Sequence, residues 1–283
     1  MVSTTLLLID AQKDFHPGGS LAIPTANEDA GRIVQLIGKV DRIVATLDSH
    51  HKLHLAHPSF WWSADGSKHP DPFTIISAED LEKGVWKPRA DLKIPKGSLD
   101  PSIFADNVYD ERGTLDLTKY CIAYAKRLEE RGRFQICIWP EHCLIGSEGH
   151  AVVDPIREAM ALWGERTGGS VEWVLKGENL LTEMYSALAA EIPVTKDTSF
   201  NEDLLESLLA SDKILVCGQA MSHCVNYTLR DLVERWPKER ASEITLVLDG
   251  ASAVPGFEAA ADQFVSDMKA AGVQVRTTAE ILK

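Results

Sequence analysis

The sequence predicts an α/β protein of three layers, with helices on both faces of a mostly parallel six-stranded sheet. Three observations lead to this. Short apolar runs of strand length alternate with longer stretches of helical periodicity over most of the 283 residues, the pattern of a parallel sheet with crossover helices. Chemically unusual residues follow the strand-like runs: Asp10, Asp48 with His50, His142, Lys176 and Cys224. Ligands of open parallel sheets bind beyond the carboxyl ends of the strands, so this placement suits one shared site. Finally, VCGQAMSHCVNYT, Val216 to Thr228, passes from an apolar run through Gly218 into helical periodicity at Val225, Leu229 and Leu232. Cys224 therefore falls where a strand-to-helix turn opens.

Thr4 to Ile9 reads as a buried strand and Asn27 to Ile37 as a helix, with the turn-rich HPGGS of His16 to Ser20 between them. Asp41 to Leu47 is a second strand, running directly into Asp48, Ser49, His50 and His51, then His54, His57 and the aromatic Phe60, Trp61 and Trp62. Residues 63 to 117 contain several prolines and little periodicity, which predicts an irregular insertion with short local structure. Leu117 to Arg131 places Tyr120, Cys121, Tyr124, Ala125 and Leu128 on one helical face. Phe134 to Trp139 reads as a third strand, broken at Pro140, and Val152 to Trp163 as a helix. Val171 to Leu175 is a fourth strand, and helices over Thr182 to Ala190 and Asn201 to Ala210 lead to a fifth, Lys213 to Cys217. After the Cys224 helix come a sixth strand, Ile244 to Leu248, a helix from Gly256 to Ala271 and a last short strand, Val273 to Val275. The chain reads as one domain, residues 1 to 283, carrying the insertion.

A net charge of −13 argues against nucleic-acid and anionic-membrane surfaces, which need clustered Lys and Arg. No apolar run approaches the roughly 20 residues of a membrane span, so a soluble, unexported, cytoplasmic protein with small-molecule partners is expected. Five cysteines, an odd number without a CxxC pair, suit reduced thiols better than a disulfide framework.

At a helix N-terminus, free N–H groups and the macrodipole favour a thiolate and can hold an oxyanion; a buried structural cysteine is the plain alternative for Cys224. Asp10 alone could be a loop carboxylate and Lys176 a surface lysine. Together with Cys224 at neighbouring strand ends they make a catalytic set: the carboxylate takes the thiol proton, and the ammonium lowers the thiol pKa and stabilises developing negative charge. Asp48 and His50, alternate residues of an extended segment, point the same way and suit zinc, iron or manganese, with His142 as a third ligand; a solvated histidine-rich loop is the alternative.

Five blocks then carry a family resemblance: LLLIDAQKDFHPGGSLAIP, the DSH with its following HPSFW, IWPEHCLIGSEG, VLKGENLLTEMYSAL and GQAMSHCVNYT. In this order they resemble the nicotinamidases within the isochorismatase-like cysteine hydrolases, over roughly residues 4 to 62 and 134 to 275. The resemblance implies the Rossmann-like fold of that family, a catalytic triad of Asp10, Lys176 and Cys224, and metal ligands Asp48, His50 and His142, with His57 a further one. It implies Phe15 and Trp139 as aromatic pocket walls, and a cis bond at Gln219–Ala220 that helps aim the N–H groups of Ala220 and Cys224 at an oxyanion. The implied activity is deamidation of nicotinamide, or another small carboxamide, with a divalent metal, zinc foremost. Hydrolysis of the isochorismate vinyl ether and a catalytically silent binding protein are the rivals; homo-oligomers fit any of them. Met221 and Ser222 stand where many nicotinamidases have Thr and Asp, and three residues are added between His50 and His57. The insertion, with Trp61 or Trp62, is expected to cover the site mouth or to pack on a second subunit.

Overall fold

The computed structural model describes residues 3 to 283, with strands β1 (Thr4–Ile9), β2 (Arg42–Asp48), β3 (Trp61–Ser63), β4 (Ile75–Ile76), β5 (Trp86–Pro88), β6 (Ile136–Cys137), β7 (Glu172–Lys176), β8 (Lys213–Gly218), β9 (Ile244–Val247) and β10 (Gln274–Arg276). The α-helices are α1 (Ala26–Ile37), α2 (Ala78–Glu82), α3 (Leu117–Arg131), α4 (Asp154–Thr167), α5 (Glu202–Leu209), α6 (Cys224–Arg235), α7 (Glu258–Ala270) and α8 (Thr278–Ile281). Six strands form the main sheet in the order β10-β9-β8-β1-β2-β7, and every pairing in it is parallel.

The central strand explains the layering. Side chains of β1 alternate between faces, and both faces are apolar. Leu6 and Leu8 pack with Ile33, Leu36 and Ile37 of α1 and with Ile156, Met160 and Trp163 of α4. Leu7 and Ile9 pack on the opposite face with Leu204 and Leu208 of α5, Val225, Leu229 and Leu232 of α6, and Phe264 and Met268 of α7. Fully burying each such side chain contributes about 1.5–3 kcal/mol, so the sheet is held from both sides. No helix among the described residues is long and apolar enough to cross a membrane.

Two expected elements are corrected. Phe134 to Trp139 does not enter the main sheet: only Ile136–Cys137 is a strand, antiparallel to Ile75–Ile76. Strand β7 occupies the edge beside β2, pairing Asp48 with Lys176, and the last short strand supplies the sixth member as β10. The backbone after β6 is taken by neighbours, Ile138 N–H donating to Thr74 O at 2.9 Å and Trp139 N–H to Ala56 O at 2.7 Å. The expected helix over Thr182 to Ala190 is absent. Its donors go to side chains instead: Glu183 N–H to the Tyr124 hydroxyl (3.0 Å), Met184 N–H to Glu183 Oε1 (2.9 Å) and Ala187 N–H to Thr228 Oγ1 (3.0 Å). Residues 181 to 192 are all buried, so apolar periodicity could not reveal a helical face.

The insertion has its own core. Ile76, Ala78, Leu81, Phe104 and Val108 pack under α3 against Tyr120, Tyr124 and Leu128, and Trp61 is fully buried there with its indole N–H on Leu55 O at 2.7 Å. Trp62 stacks on His69, with centroids 3.9 Å apart. Neither tryptophan lines the pocket, which corrects that part of the lid expectation.

Candidate active site

Each strand end delivers one group. Asp10, immediately after β1, is buried with φ of 41°, a left-handed turn that Asp tolerates. Its N–H donates to Thr46 Oγ1 at 3.0 Å, and that hydroxyl donates back to Asp10 Oδ1. Lys176 ends β7 and points inward, 2.8 Å from Asp10 Oδ2, 3.0 Å from Asp48 Oδ1 and 3.5 Å from Cys224 Sγ, while also donating to Met184 O at 3.1 Å. Cys224 is the first residue of α6, as expected. Gly218 makes that approach feasible: its φ is 116°, and a Cβ there would lie 1.9 Å from Ile9 O. The bond between Gln219 and Ala220 is cis, as the resemblance implied. The N–H groups of Ala220 and Cys224 meet no acceptor among the described residues.

Burial pushes the Cys224 thiol well above its ordinary value, and Lys176 only pulls part of the way back. Burial likewise raises the Asp10 carboxyl, against the downward pull of Lys176. Burial alone would lower Lys176, but Asp10 and Asp48 hold it well above the ordinary range. The Lys176 ammonium thus stands within reach of both, 3.5 Å from the thiol and 2.8 Å from the Asp10 carboxylate. The other four cysteines are buried, free and also raised by burial.

Beside this trio lie the candidate metal residues. The ligand nitrogens of His50, His57 and His142 all fall within 4.8 Å of one another. Asp48 Oδ2 stands 3.0 Å from His50 Nε2 and 3.2 Å from His142 Nε2. In each of the three imidazoles Nδ1 faces a backbone carbonyl: Gly177 O for His50 (3.1 Å), Lys52 O for His57 (3.2 Å) and Pro140 O for His142 (2.8 Å). A carbonyl only accepts, so each Nδ1 carries a proton. Nε2 of His50 and of His142 faces the Asp48 carboxylate, whereas His57 Nε2 is buried without any hydrogen-bond partner. The donor set, three imidazoles with Nδ1 anchored on carbonyls and a carboxylate among their Nε2 atoms, fits a zinc, iron or manganese ion. His54 is the contrast: its Nδ1 accepts from Ala56 N–H and its Nε2 meets Thr182 O at 3.1 Å, so both nitrogens are spent. Gly177 leaves room for the cluster, since a Cβ there would lie 2.8 Å from His50 Cε1.

Phe15 and Trp139 line a cavity with Leu21, Asp48, His142, Glu183, Tyr185, Ala220, His223, Cys224 and Val254. Its volume is about 20 Å³, room for roughly one water. A larger groove of about 360 Å³, between Pro95–Ser98 of the insertion and the Lys176 loop, contains neither Asp10 nor Cys224. Sequence reasoning missed Glu183, Tyr185 and His223, although Tyr185 lies in the MYSAL block and His223 adjoins the nucleophile. It also missed Gln12, whose side chain clamps β1 to β2 by donating to Asp48 O and accepting from Asp48 N–H, both at 2.7 Å.

No family model matches the chain. Its sequence is 24% identical over 285 residues to the nicotinamidase of Escherichia coli (strain K12), covering 99% of this chain and 97% of that protein. Among solved structures it is similar to an Acinetobacter baumanii nicotinamidase pyrazinamidase, with a TM-score of 0.64, 18% identity and 99% coverage of both chains. It is also similar to the yeast nicotinamidase bound to nicotinaldehyde, with a TM-score of 0.61, 20% identity and coverage of 97% of this chain and 99% of that one.

Proposed function

We propose that this chain, nicotinamidase-like in sequence and in fold, is a metal-dependent cysteine amidohydrolase that converts nicotinamide and water to nicotinate and ammonia. The observation that carries the reading is the convergence of Asp10, Lys176 and Cys224 in one buried cluster sharing Asp48 with three converging imidazoles. The relatives supply the substrate class, since the proteins it resembles are described as nicotinamidases.

The residues perform the reaction as follows. Phe15 and Trp139 hold the ring. Asp48, His50, His57 and His142 would hold a divalent metal, zinc foremost with iron or manganese as alternatives, and the metal would supply electrophilic polarisation of a ring nitrogen. Cys224 Sγ attacks the carboxamide carbon while Asp10 takes the thiol proton, and Lys176 stabilises the negative charge as it forms. The N–H groups of Ala220 and Cys224 receive the oxyanion; losing one such donor costs roughly 100- to 1000-fold in turnover. Asp10 passes the proton to the departing ammonia, leaving a thioester on Cys224. Water, deprotonated by Asp10, then releases the acid and restores the thiol.

The vinyl-ether hydrolase reading has no use for a thiol so placed. Ammonia release over a panel of small carboxamides tests the proposal, with Cys224→Ala as the control. No release from any carboxamide by metal-loaded protein overturns it.

A further inference from the structure

His223 lines the pocket, and the mechanism leaves its chemistry unused. Its ring sits in an aromatic box, with centroids 4.9 Å from Trp139, 5.2 Å from Tyr185 and 4.8 Å from Phe257. Such a box holds an imidazole by its faces and edges and fixes its orientation. Its Nδ1 lies 2.9 Å from Ser222 Oγ. The direction of that bond follows from the hydroxyl's other partner: the buried Oγ accepts from Val254 N–H at 3.1 Å, and among the described residues only Nδ1 is in reach to accept its own proton. Nδ1 is then the acceptor, and a neutral ring carries its proton on Nε2. Burial lowers the imidazole to about 4, so the ring is neutral at physiological pH. Among the described residues Nε2 meets no partner, and the residue lines the cavity beside Cys224.

We infer that His223 is a specificity residue whose Nε2–H, locked by the Val254–Ser222 relay, selects heteroaromatic carboxamides carrying a second acceptor besides the ring nitrogen turned to the metal ligands. This rests on the amidohydrolase reading. An aromatic wall binds any flat ring; a fixed donor in that wall is satisfied only by an acceptor at the right ring position, and an unmatched polar group in a closed pocket costs binding. Ser222 is therefore part of the device, because without its hydroxyl the imidazole is free to take either tautomer.

The test uses metal-loaded enzyme and five substrates: nicotinamide and the four diazine carboxamides that keep its ring nitrogen and add a second at each remaining position, pyrazinamide among them. One diazine should be preferred to nicotinamide in kcat/KM. In His223→Phe, which keeps an aromatic ring in the box, that preference ratio should fall about tenfold, the change lying in KM. Ser222→Ala should lower it by a smaller factor and should add nothing in the His223→Phe background. Nitrogen-15 spectra of labelled histidine should show the Nε2–H tautomer in the wild type and a mixture in Ser222→Ala. A preference ratio unchanged in His223→Phe, no preferred diazine, or an Nδ1–H tautomer in the wild type each overturns the inference. If none of the five is hydrolysed, the amidohydrolase reading is what falls. Titration of the diazines into labelled Cys224→Ala protein then decides on the donor: a shift at His223 Nε2–H for one diazine supports it, and no shift for any overturns it.

Discussion

Asp48 faces Lys176 with one carboxylate oxygen, Oδ1, 3.0 Å from Nζ, while its other oxygen turns to His50 and His142. One side chain thus couples the candidate metal residues to the candidate catalytic trio. Burial alone would raise Asp48, yet His50 and Lys176 hold it well below the ordinary carboxylate range.

The coupling makes Lys176 a stability residue as well. Lys176→Met leaves Asp10 and Asp48 buried together without their cation, and removing one partner of a buried ion pair costs about 3–5 kcal/mol. Urea unfolding of metal-free protein should show a loss of that size. A loss below about 1 kcal/mol would mean that the ammonium does not hold the two carboxylates.

Cys224→Ala should abolish ammonia release, by about 10⁴-fold or more, while metal content and the far-ultraviolet spectrum stay as in the wild type. The thiol lies 3.5 Å from Lys176 but outside the imidazole cluster. Retained turnover would remove the nucleophile from the proposed mechanism.

Dialysis against a strong chelator should remove activity and lower Tm, and zinc, iron or manganese should restore both. His57 is the discriminating ligand, because its buried Nε2 has nothing else to bind. Outer-shell changes weaken metal sites by about 10- to 100-fold, so His57→Ala should weaken binding by about 100-fold or more. A change of less than about tenfold by competition titration would place His57 outside the ligand set.

Glu191 donates its N–H to Glu183 O, and its carboxylate stands 3.6 Å from Arg133 Nη1. Burial pushes the carboxyl from its ordinary 4.5 up to about 8, against the pull of Arg133. Between those two pH values the folded chain keeps a proton that the unfolded chain has lost, so stability falls as pH rises through the window. Glu191→Gln should flatten that slope, matching the wild type near pH 4.5 and exceeding it by about 2–4 kcal/mol above pH 8. Parallel stability curves for the two proteins would rule out this titration.

How much of this was legible in the sequence varied by element. The run TTLLLI of β1 was read as a buried strand, and it is one, while Asp10, Lys176 and Cys224 lie at the carboxyl ends of strands or just beyond them. The run Phe134 to Trp139 was equally apolar, yet nothing local says that β7, not β6, takes the place beside β2. Thr182 to Ala190 misled for a related reason: its N–H groups bond to Tyr124 and Thr228, far along the chain. His54, His57 and His50 look alike in sequence, and only their partners in the fold distinguish His54, spent on Ala56 N–H and Thr182 O, from His50 and His57, whose Nε2 atoms turn to the cluster.

Phe73 of the insertion touches a wall of the pocket. Phe73, 49% exposed and with φ of 67°, sets its ring edge-on to Trp139 at 5.8 Å, and its N–H donates to Ile138 O. The same segment carries Phe104, fully buried under α3. These two phenylalanines should separate the roles of the insertion. Phe73→Ala gives up little buried area and relieves a strained backbone only slightly, so it should leave Tm within a few degrees. It should loosen Trp139, raising KM by about two- to fivefold and shifting tryptophan emission. Phe104→Ala opens a cavity in the second core and should cost about 3–5 kcal/mol, with the KM of the folded fraction unchanged. Equal KM values in the wild type and Phe73→Ala would show that the insertion serves the stability of the α3 core and takes no part in shaping the pocket.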